Sequence, residues 1–508
     1  MENSRLKNTK RNIIWSYIDY VISIVFQFVS RTIIVQTLGA QYLGLSSLFA
    51  SILNVLNMTE LGFSSAVVFN LYKPIANNDK KAVNALLAFY RKIYRIVGMI
   101  ILSLGLLISP FIQSLIKGDI PADINIYALY YLYLANTVTS YFVFSYRASL
   151  LNAVQRMDLT KIAYSIVHVC QCIFQILMIL LFKNYYLFVV GTILGTTAKN
   201  IIAAYFSNKY FPQYKCSGTI DNETKKDIWQ RVKGLLIGKI SGVTYTTFDS
   251  IILSAMIGLA PVAIYNNYMT IYSAVANIIV LIRHAMQASV GNSIASESIE
   301  KNYKDVLRWQ FLFSMIAIWC ADFLLCLYQP FMRLWMGSDM LLSTIDVIIL
   351  YMLFEVSTVQ HAFYLYLSGY GLWWHLRWPN ILSTITNLIL NIVLCRIWGI
   401  TGIILATLIA QFVFGLLWQG SIVFKEYFKI SYRPYLIRQG IYFFVGILLC
   451  AFSYAICSFI MNPGITGLIM KMIVCVIVPP IVIILVFHKN SEFNESKRLL
   501  VKVIKKNV

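Results

Sequence analysis

Runs of about twenty apolar residues recur along the 508-residue chain, and most are separated by short segments carrying Lys or Arg. A run of that length spans the hydrocarbon core of a bilayer as a helix and is too long for a barrel strand. Within hydrocarbon a helix also satisfies its own backbone N–H and C=O groups, so no other open structure competes. Composition supports this: 59% of residues are hydrophobic and 12% charged, against about 25% charged in soluble domains. The chain is therefore an all-α polytopic membrane protein. Its net charge of +21 has an explanation other than nucleic acid. With the N-terminus in the cytoplasm, 33 of the 42 Lys and Arg fall in cytoplasmic segments and 4 in outer loops. That is the positive-inside bias, and it predicts both termini in the cytoplasm, an even helix count and no nucleic-acid partner.

Fourteen transmembrane helices are expected, near residues 13–38, 43–71, 96–116, 124–144, 162–182, 185–206, 235–257, 263–289, 309–328, 345–368, 381–398, 402–424, 440–460 and 467–487. Asp79 is placed to cap a short interfacial helix before the third span, and Pro479 and Pro480 predict a kink in the last. The polar segment 211–234 divides the chain into a six-helix bundle over 1–210 and a second over 235–430. Two additional helices follow over 431–488, then a basic cytoplasmic tail, 489–508. The pattern restarts after the linker. The stretch from Phe248 aligns with that from Ser30 when Gly258 is laid on Gly39, which places Asp249 opposite Ser30 and one position from Arg31. Six helices separate the two units, so they are parallel repeats.

No P-loop, H-E-x-x-H or nucleophile elbow is present, so neither ATP hydrolysis nor another enzymatic activity is expected, and no cofactor is implied. Seven of the nine cysteines lie in apolar runs and read as core residues rather than a disulfide framework or metal site. Tyr127, Tyr130, Tyr131 and Tyr133 form either an aromatic interface belt or a sugar-stacking surface.

Charges inside the membrane are the candidates for function, since each costs at least ~2.5 kcal/mol at the centre of a span and so faces a cavity or a partner. Arg31 lies past the midpoint of the first helix. It either lines a cavity or pairs with Glu60 or Asp249. Lys239 either snorkels to the headgroups or faces the interior, and Arg283 lies about two turns inside the eighth helix. Glu60 sits beside Gly62, where it can also close a break in the second helix. Asp19, Asp322 and Asp346 are placed nearer helix ends, within reach of water, and Glu355 with His361 is a weaker candidate.

The first-helix Arg31, the turn L-G-A-Q-Y-L-G from Leu38 to Gly44 and the run E-L-G-F-S-S-A-V from Glu60 to Val67 resemble the bacterial polysaccharide flippases. These are the Wzx-like exporters of lipid-linked oligosaccharides, in the superfamily that includes the multidrug and toxin extrusion transporters. The resemblance implies two helix bundles around a central cavity. It also implies a polyprenyl-diphosphate oligosaccharide as substrate, its tail left among the membrane lipids, and alternating access. Carboxylates such as Asp249 and Glu60 would let a coupling cation (proton or sodium) drive the cycle; membrane potential alone is the alternative. By this resemblance the first, second, seventh and eighth helices line the cavity, which selects Arg31, Glu60, Lys239, Asp249 and Arg283 as substrate-binding candidates. Arg pairs phosphate oxygens bidentately, and that attraction strengthens in low dielectric. The alternatives are a cation-coupled multidrug antiporter, whose cavity should be more acidic, and a non-transporting scaffold for glycan assembly, which has no use for ionised groups in mid-membrane.

Overall fold

A computed structural model describes the backbone of residues 2–58, 63–462 and 464–496. It describes side chains within that range except at 2–10, 13, 63–66, 227, 230, 231 and 233–246. Among the described residues the apolar runs are helical, for the backbone reason given above. In the first part of the chain these are α1 (Glu2–Thr37), α2 (Ala40–Asn57), α3 (Phe63–Ala76), α4 (Lys80–Ile108), α5 (Ile126–Phe142), α6 (Tyr146–Ala153), α7 (Met157–Phe182), α8 (Tyr185–Tyr210) and α9 (Asn222–Met256). There follow α10 (Leu259–Ser296), α11 (Ile299–Met336), α12 (Thr344–Val359), α13 (His361–Tyr370), α14 (Arg377–Trp398), α15 (Ile400–Ala410), α16 (Gly420–Val423), α17 (Arg433–Ser458) and α18 (Ile465–Phe487). Among the described residues, 11 helical segments are long and apolar enough to cross a membrane. The other three expected spans coincide with α2 and α3 together, with α5 and with α9.

Local differences from the sequence expectations have physical causes. The interfacial helix and the third span form one helix, α4, because no proline interrupts the chain between Asp79 and Ile108. Asp79 does cap it, accepting from the Ala82 N–H at 3.0 Å. Pro110 ends that helix in a 3-10 turn, Ser109–Phe111. Pro479 and Pro480 lie inside α18, whose helical winding continues through them, as it does through a kink; membrane helices tolerate proline when neighbours re-satisfy the freed carbonyls. The twelfth span is wound unusually. After α15 the chain turns π-helical over Gln411–Gln419 and again over Phe424–Phe428. The amphipathic tail residues Leu499, Leu500, Val503 and Ile504 lie outside the described residues.

The chain forms two compact units, 1–263 and 264–508. In the first, α1 packs on α7, α7 on α8, α8 on α5 and α5 on α4, while α9 packs against α2 and α3. The division therefore falls beyond the polar 211–234 segment. That segment is tied down within the first unit, where Asn84 Oδ1 accepts from the Lys215 N–H and Arg147 donates to the Tyr214 carbonyl at 2.9 Å. In the second unit α11 is the central helix, in contact with α12, α17 and α18, and α14 packs on α15. Gln310 and Ser314 of α11 both donate to Gln439 Oε1 of α17, at 3.1 and 3.2 Å, which fixes the register of the two helices.

The aligned glycines adopt one conformation. Gly39 has φ of 113° and Gly258 of 132°, a region that residues with a Cβ avoid. Each turn also closes its helix with the same pair of bonds. Leu38 and Gly39 donate to the Ile34 carbonyl at 2.9 and 3.1 Å, and Ile257 and Gly258 donate to that of Leu253 at 2.9 and 3.0 Å. The α1–α2 and α9–α10 turns are the same structure at matching positions of the two repeats. They also touch: a Cβ on Gly44 would lie 2.1 Å from the Leu259 carbonyl oxygen.

Candidate functional site

The polar residues of α1 and α7 build a site inside the first unit. Both helices are apolar overall, yet Ser23, Gln27 and Ser30 on α1 recur at spacings of four and three, as do His168, Cys172 and Gln175 on α7. Such spacings place each set on one helix face. The two faces meet around a pocket of about 340 Å³ lined by these six residues and Phe26. His168 Nδ1 lies 3.3 Å from Ser23 Oγ, and its ring packs on Phe26 at 5.9 Å. Gln175 is fixed by donating to the Phe188 carbonyl and to Thr192 Oγ1, at 3.0 and 2.8 Å. Further along the same seam Lys161 pairs with Asp19 at 2.7 Å, and Ser165 reaches the same carboxylate. Lys199 of α8 is within electrostatic reach of Asp19, His168 and Cys172. The seam therefore places Lys161 and Lys199 near Asp19, and further along it the buried Asp158 of α7 pairs with Arg11 of α1 and with Arg156.

Arg31 extends this arrangement toward the α1–α2 turn. It is half-buried and interacts electrostatically with Tyr185, a fully buried residue that opens α8. The Tyr185 hydroxyl lies 2.9 Å from that of Tyr133, which donates to Ser46 at 3.0 Å. The Tyr42 ring meets Tyr185 edge-on at 5.4 Å, and its hydroxyl donates to Asp123. A guanidinium is thus followed by a row of ordered hydroxyls and aromatic faces drawn from α1, α2, α5 and α8. The four α5 tyrosines divide accordingly. Tyr131 is 42% exposed, while Tyr130 is buried with its hydroxyl on the Gly105 carbonyl at 3.0 Å, and Tyr133 joins the Arg31 network. A belt reading suits only the outward part of this group.

The other candidates are dispersed. Asp249 is buried on α9 in the same unit as Arg31, amid buried Thr247, Ser250 and Ser254. Lys239 is on α9 among residues whose side chains are not described, and Glu60 lies outside the described residues altogether. Arg283 belongs to the second unit, where its guanidinium covers the Tyr364 ring at 4.6 Å and approaches His284 Nε2 at 3.5 Å. One placement from sequence is corrected: Asp322 is fully buried within α11 rather than near water. Asp346 lies at a helix end as expected, but buried there in the capping box that starts α12. Asp19, the third of that group, is engaged with Lys161. Lys199 and the α1–α7 pocket were the features the sequence did not single out. Their signal was present as polar residues repeating on one face of otherwise apolar helices.

Residues 9–290 match the family described as "Polysaccharide biosynthesis protein". Among curated protein sequences none matches the chain. Solved structures share its fold. A lipid II flippase, MurJ, in an inward closed conformation superposes with a TM-score of 0.64 at 16% identity, over 94% of this chain and 99% of that one. An inward-facing multidrug resistance transporter of the MATE family gives 0.60 at 15% identity, over 80% and 96%. An outward-facing transporter of that family gives 0.55 at 15%, over 81% and 94%.

Proposed function

The chain belongs to the polysaccharide biosynthesis protein family, and from that premise we propose that it carries a polyprenyl-diphosphate-linked oligosaccharide across the bacterial cytoplasmic membrane by alternating access. It is a multi-pass membrane protein with the fold of flippases and exporters. The observation that carries the substrate class is Arg31 with its hydroxyl row. A guanidinium held inside a membrane helix bundle matches a diphosphate, and ordered tyrosines beside it offer ring faces and hydroxyls to the first sugars. Lys161 and Lys199, outnumbering Asp19 in the adjoining seam, add to the preference for an anion. In this reading the prenyl tail stays in the bilayer, both termini are cytoplasmic, and the expected six-plus-six bundles rock about their linker. Asp249 and Glu60 are the carboxylates offered to a coupling proton or sodium ion, with Lys239 and Arg283 as further cations on the translocation path. A second reading, cation-coupled export of organic cations, is favoured only by the MATE structural likeness. Deleting the gene separates the two. The proposed function requires lipid-linked repeat units to accumulate on the cytoplasmic face, with restoration by the intact chain. Normal surface glycan together with sensitivity to organic cations supports the antiporter and ends the flippase reading.

A further inference from the structure

Three cysteines of the second unit, distant in sequence, converge on one point. Cys326 of α11, Cys457 of α17 and Cys475 of α18 are all buried, and their Sγ atoms lie within 4.8 Å of one another. Phe323, Leu327 and Val474 sheathe them. Each comes from a different helix, so the convergence is a property of the tertiary packing. Asp322 stands one turn before Cys326, fully buried, with Oδ1 3.9 Å from the Cys326 sulfur. Its other oxygen has no hydrogen-bond partner at normal distance, although Ser453, Cys450 and Cys475 are close by. A buried carboxyl oxygen left without a close partner costs about 1–3 kcal/mol or more, so this oxygen is available to a further donor or an ion.

We propose that Cys326, Cys457, Cys475 and Asp322 form a binding site for a zinc-class metal ion. Thiolate sulfur is the donor that selects soft and borderline ions over magnesium or calcium. A zinc–sulfur bond of about 2.3 Å sets tetrahedral sulfurs about 3.8 Å apart, so the observed cluster needs only a small contraction. Binding displaces the three thiol protons to water, together with that of Asp322 where its carboxyl is protonated. The metal offsets two of the four negative charges of the three thiolates and the Asp322 carboxylate. Lys471, one turn before Cys475 and within electrostatic reach of Cys457, offsets a third and leaves one negative charge on the site. Asp322, 3.9 Å from the Cys326 sulfur and outside the group of three sulfurs that lie within 4.8 Å of one another, is the oxygen donor that a side-chain shift would bring to the fourth position, giving an S3O set with no open coordination site, as structural zinc centres have. Trp319, two turns before Cys326 on α11, already anchors α18 by donating to the Cys475 carbonyl at 3.0 Å. The ion would complete that attachment and clamp the last two helices to the central one.

The full chain, purified in detergent through a peptide tag without metal resin and kept reduced, is titrated with Co2+ and then with Zn2+. One Co2+ per chain is expected, with thiolate-to-cobalt charge-transfer absorbance and tetrahedral-strength visible bands that Zn2+ abolishes. Cys326→Ser and Cys475→Ser should lose the charge-transfer band, and Asp322→Asn should weaken cobalt binding by about tenfold or more. Because a substitution in this core can prevent folding, a second measurement uses the unaltered chain. Zn2+ should shield the three thiols from a membrane-permeant maleimide, and a chelator should restore their labelling. Well-folded protein that takes up no Co2+ would overturn the proposal. So would uptake undiminished in the serine variants, or a disulfide among the three cysteines found by peptide mass spectrometry of the native protein.

Discussion

The α1–α2 and α9–α10 turns share a backbone and differ in chemistry. Both close their first helix on one carbonyl, and both bend at a glycine of positive φ. Just before the bend, one repeat reads Ser30-Arg31 and the other Asp249-Ser250. The cation of one repeat is a serine in the other, and so is the anion. Further on, Gly44 lies against the backbone of Leu259, and its counterpart is the fully buried Ala263. Conformation has been retained where the chain must turn, while charge and size have diverged where the two turns meet different surroundings. Duplicated folds thus separate what the fold requires from what each copy does.

The sharpest way to break this comparison is steric. Gly44→Val places side-chain atoms on the Leu259 carbonyl, which no rotamer relieves, and should cost more than about 3 kcal/mol. Ala263→Gly should cost only about 1 kcal/mol. Thermal unfolding in detergent and the folded fraction on size exclusion report both, and equal losses would show that the two turns are packed alike. Next in size is the charge exchange. Arg31→Ala should lower export by at least about tenfold at unchanged protein level, Arg31→Lys should keep part of it, and Ser250→Ala should leave it intact. If Arg31→Ala instead reduces abundance, and neutralising Asp249 restores it, the arginine is a structural partner rather than a substrate contact. A smaller effect is expected from Asp249→Asn. It should flatten the pH dependence of export without changing abundance, whereas Ser30→Ala at the equivalent position should not; matching profiles would remove Asp249 from coupling. The smallest effect concerns the start of α9, outside the membrane. Asp221 caps it, and bonds from the Thr224 hydroxyl and N–H hold its carboxyl below the ordinary value of 3.8. A lowered native pKa stabilises above the ordinary value, and that contribution is lost as the pH falls through the native one. Asp221→Asn should therefore narrow the difference in melting temperature between neutral and acidic buffer. An unchanged difference would mean the cap carries no pH-dependent stability.

Apolar runs and Lys/Arg asymmetry made the fold legible, because bilayer thickness imposes the first and membrane insertion the second. The repeat was legible through one glycine, Gly258, whose conformation leaves few substitutes. Helix ends were less so. No residue between Asp79 and Ile108 signals that an interfacial segment and a span are continuous. The candidate site was legible as single charges and not as an assembly. Arg31 stood out by cost alone, but its partner Tyr185 is an ordinary aromatic in sequence, and Lys199 lies on a helix outside the four that the family resemblance favoured. The three clustered cysteines were each indistinguishable from core packing, since nothing in their spacing of 131 and 18 residues encodes that three helices bring them together.

The π-wound stretch Gln411–Gln419 carries a consequence for how the twelfth span accommodates change. Winding over i to i+5 inserts extra chain without lengthening the helix in proportion. At its start the Gln411 carbonyl accepts from the Gln360 side-chain amide at 3.3 Å, and the same amide reaches the Val356 carbonyl at 3.1 Å. Gln360 itself stands at the interruption between α12 and α13. Two neighbouring irregularities are thus stitched together by one side chain, and the span holds slack at a fixed place. A one-residue deletion between Gln411 and Gln419 would tighten the coil toward α geometry and leave the flanking segments in register, whereas the same deletion within α15 would rotate everything after it by a hundred degrees or so.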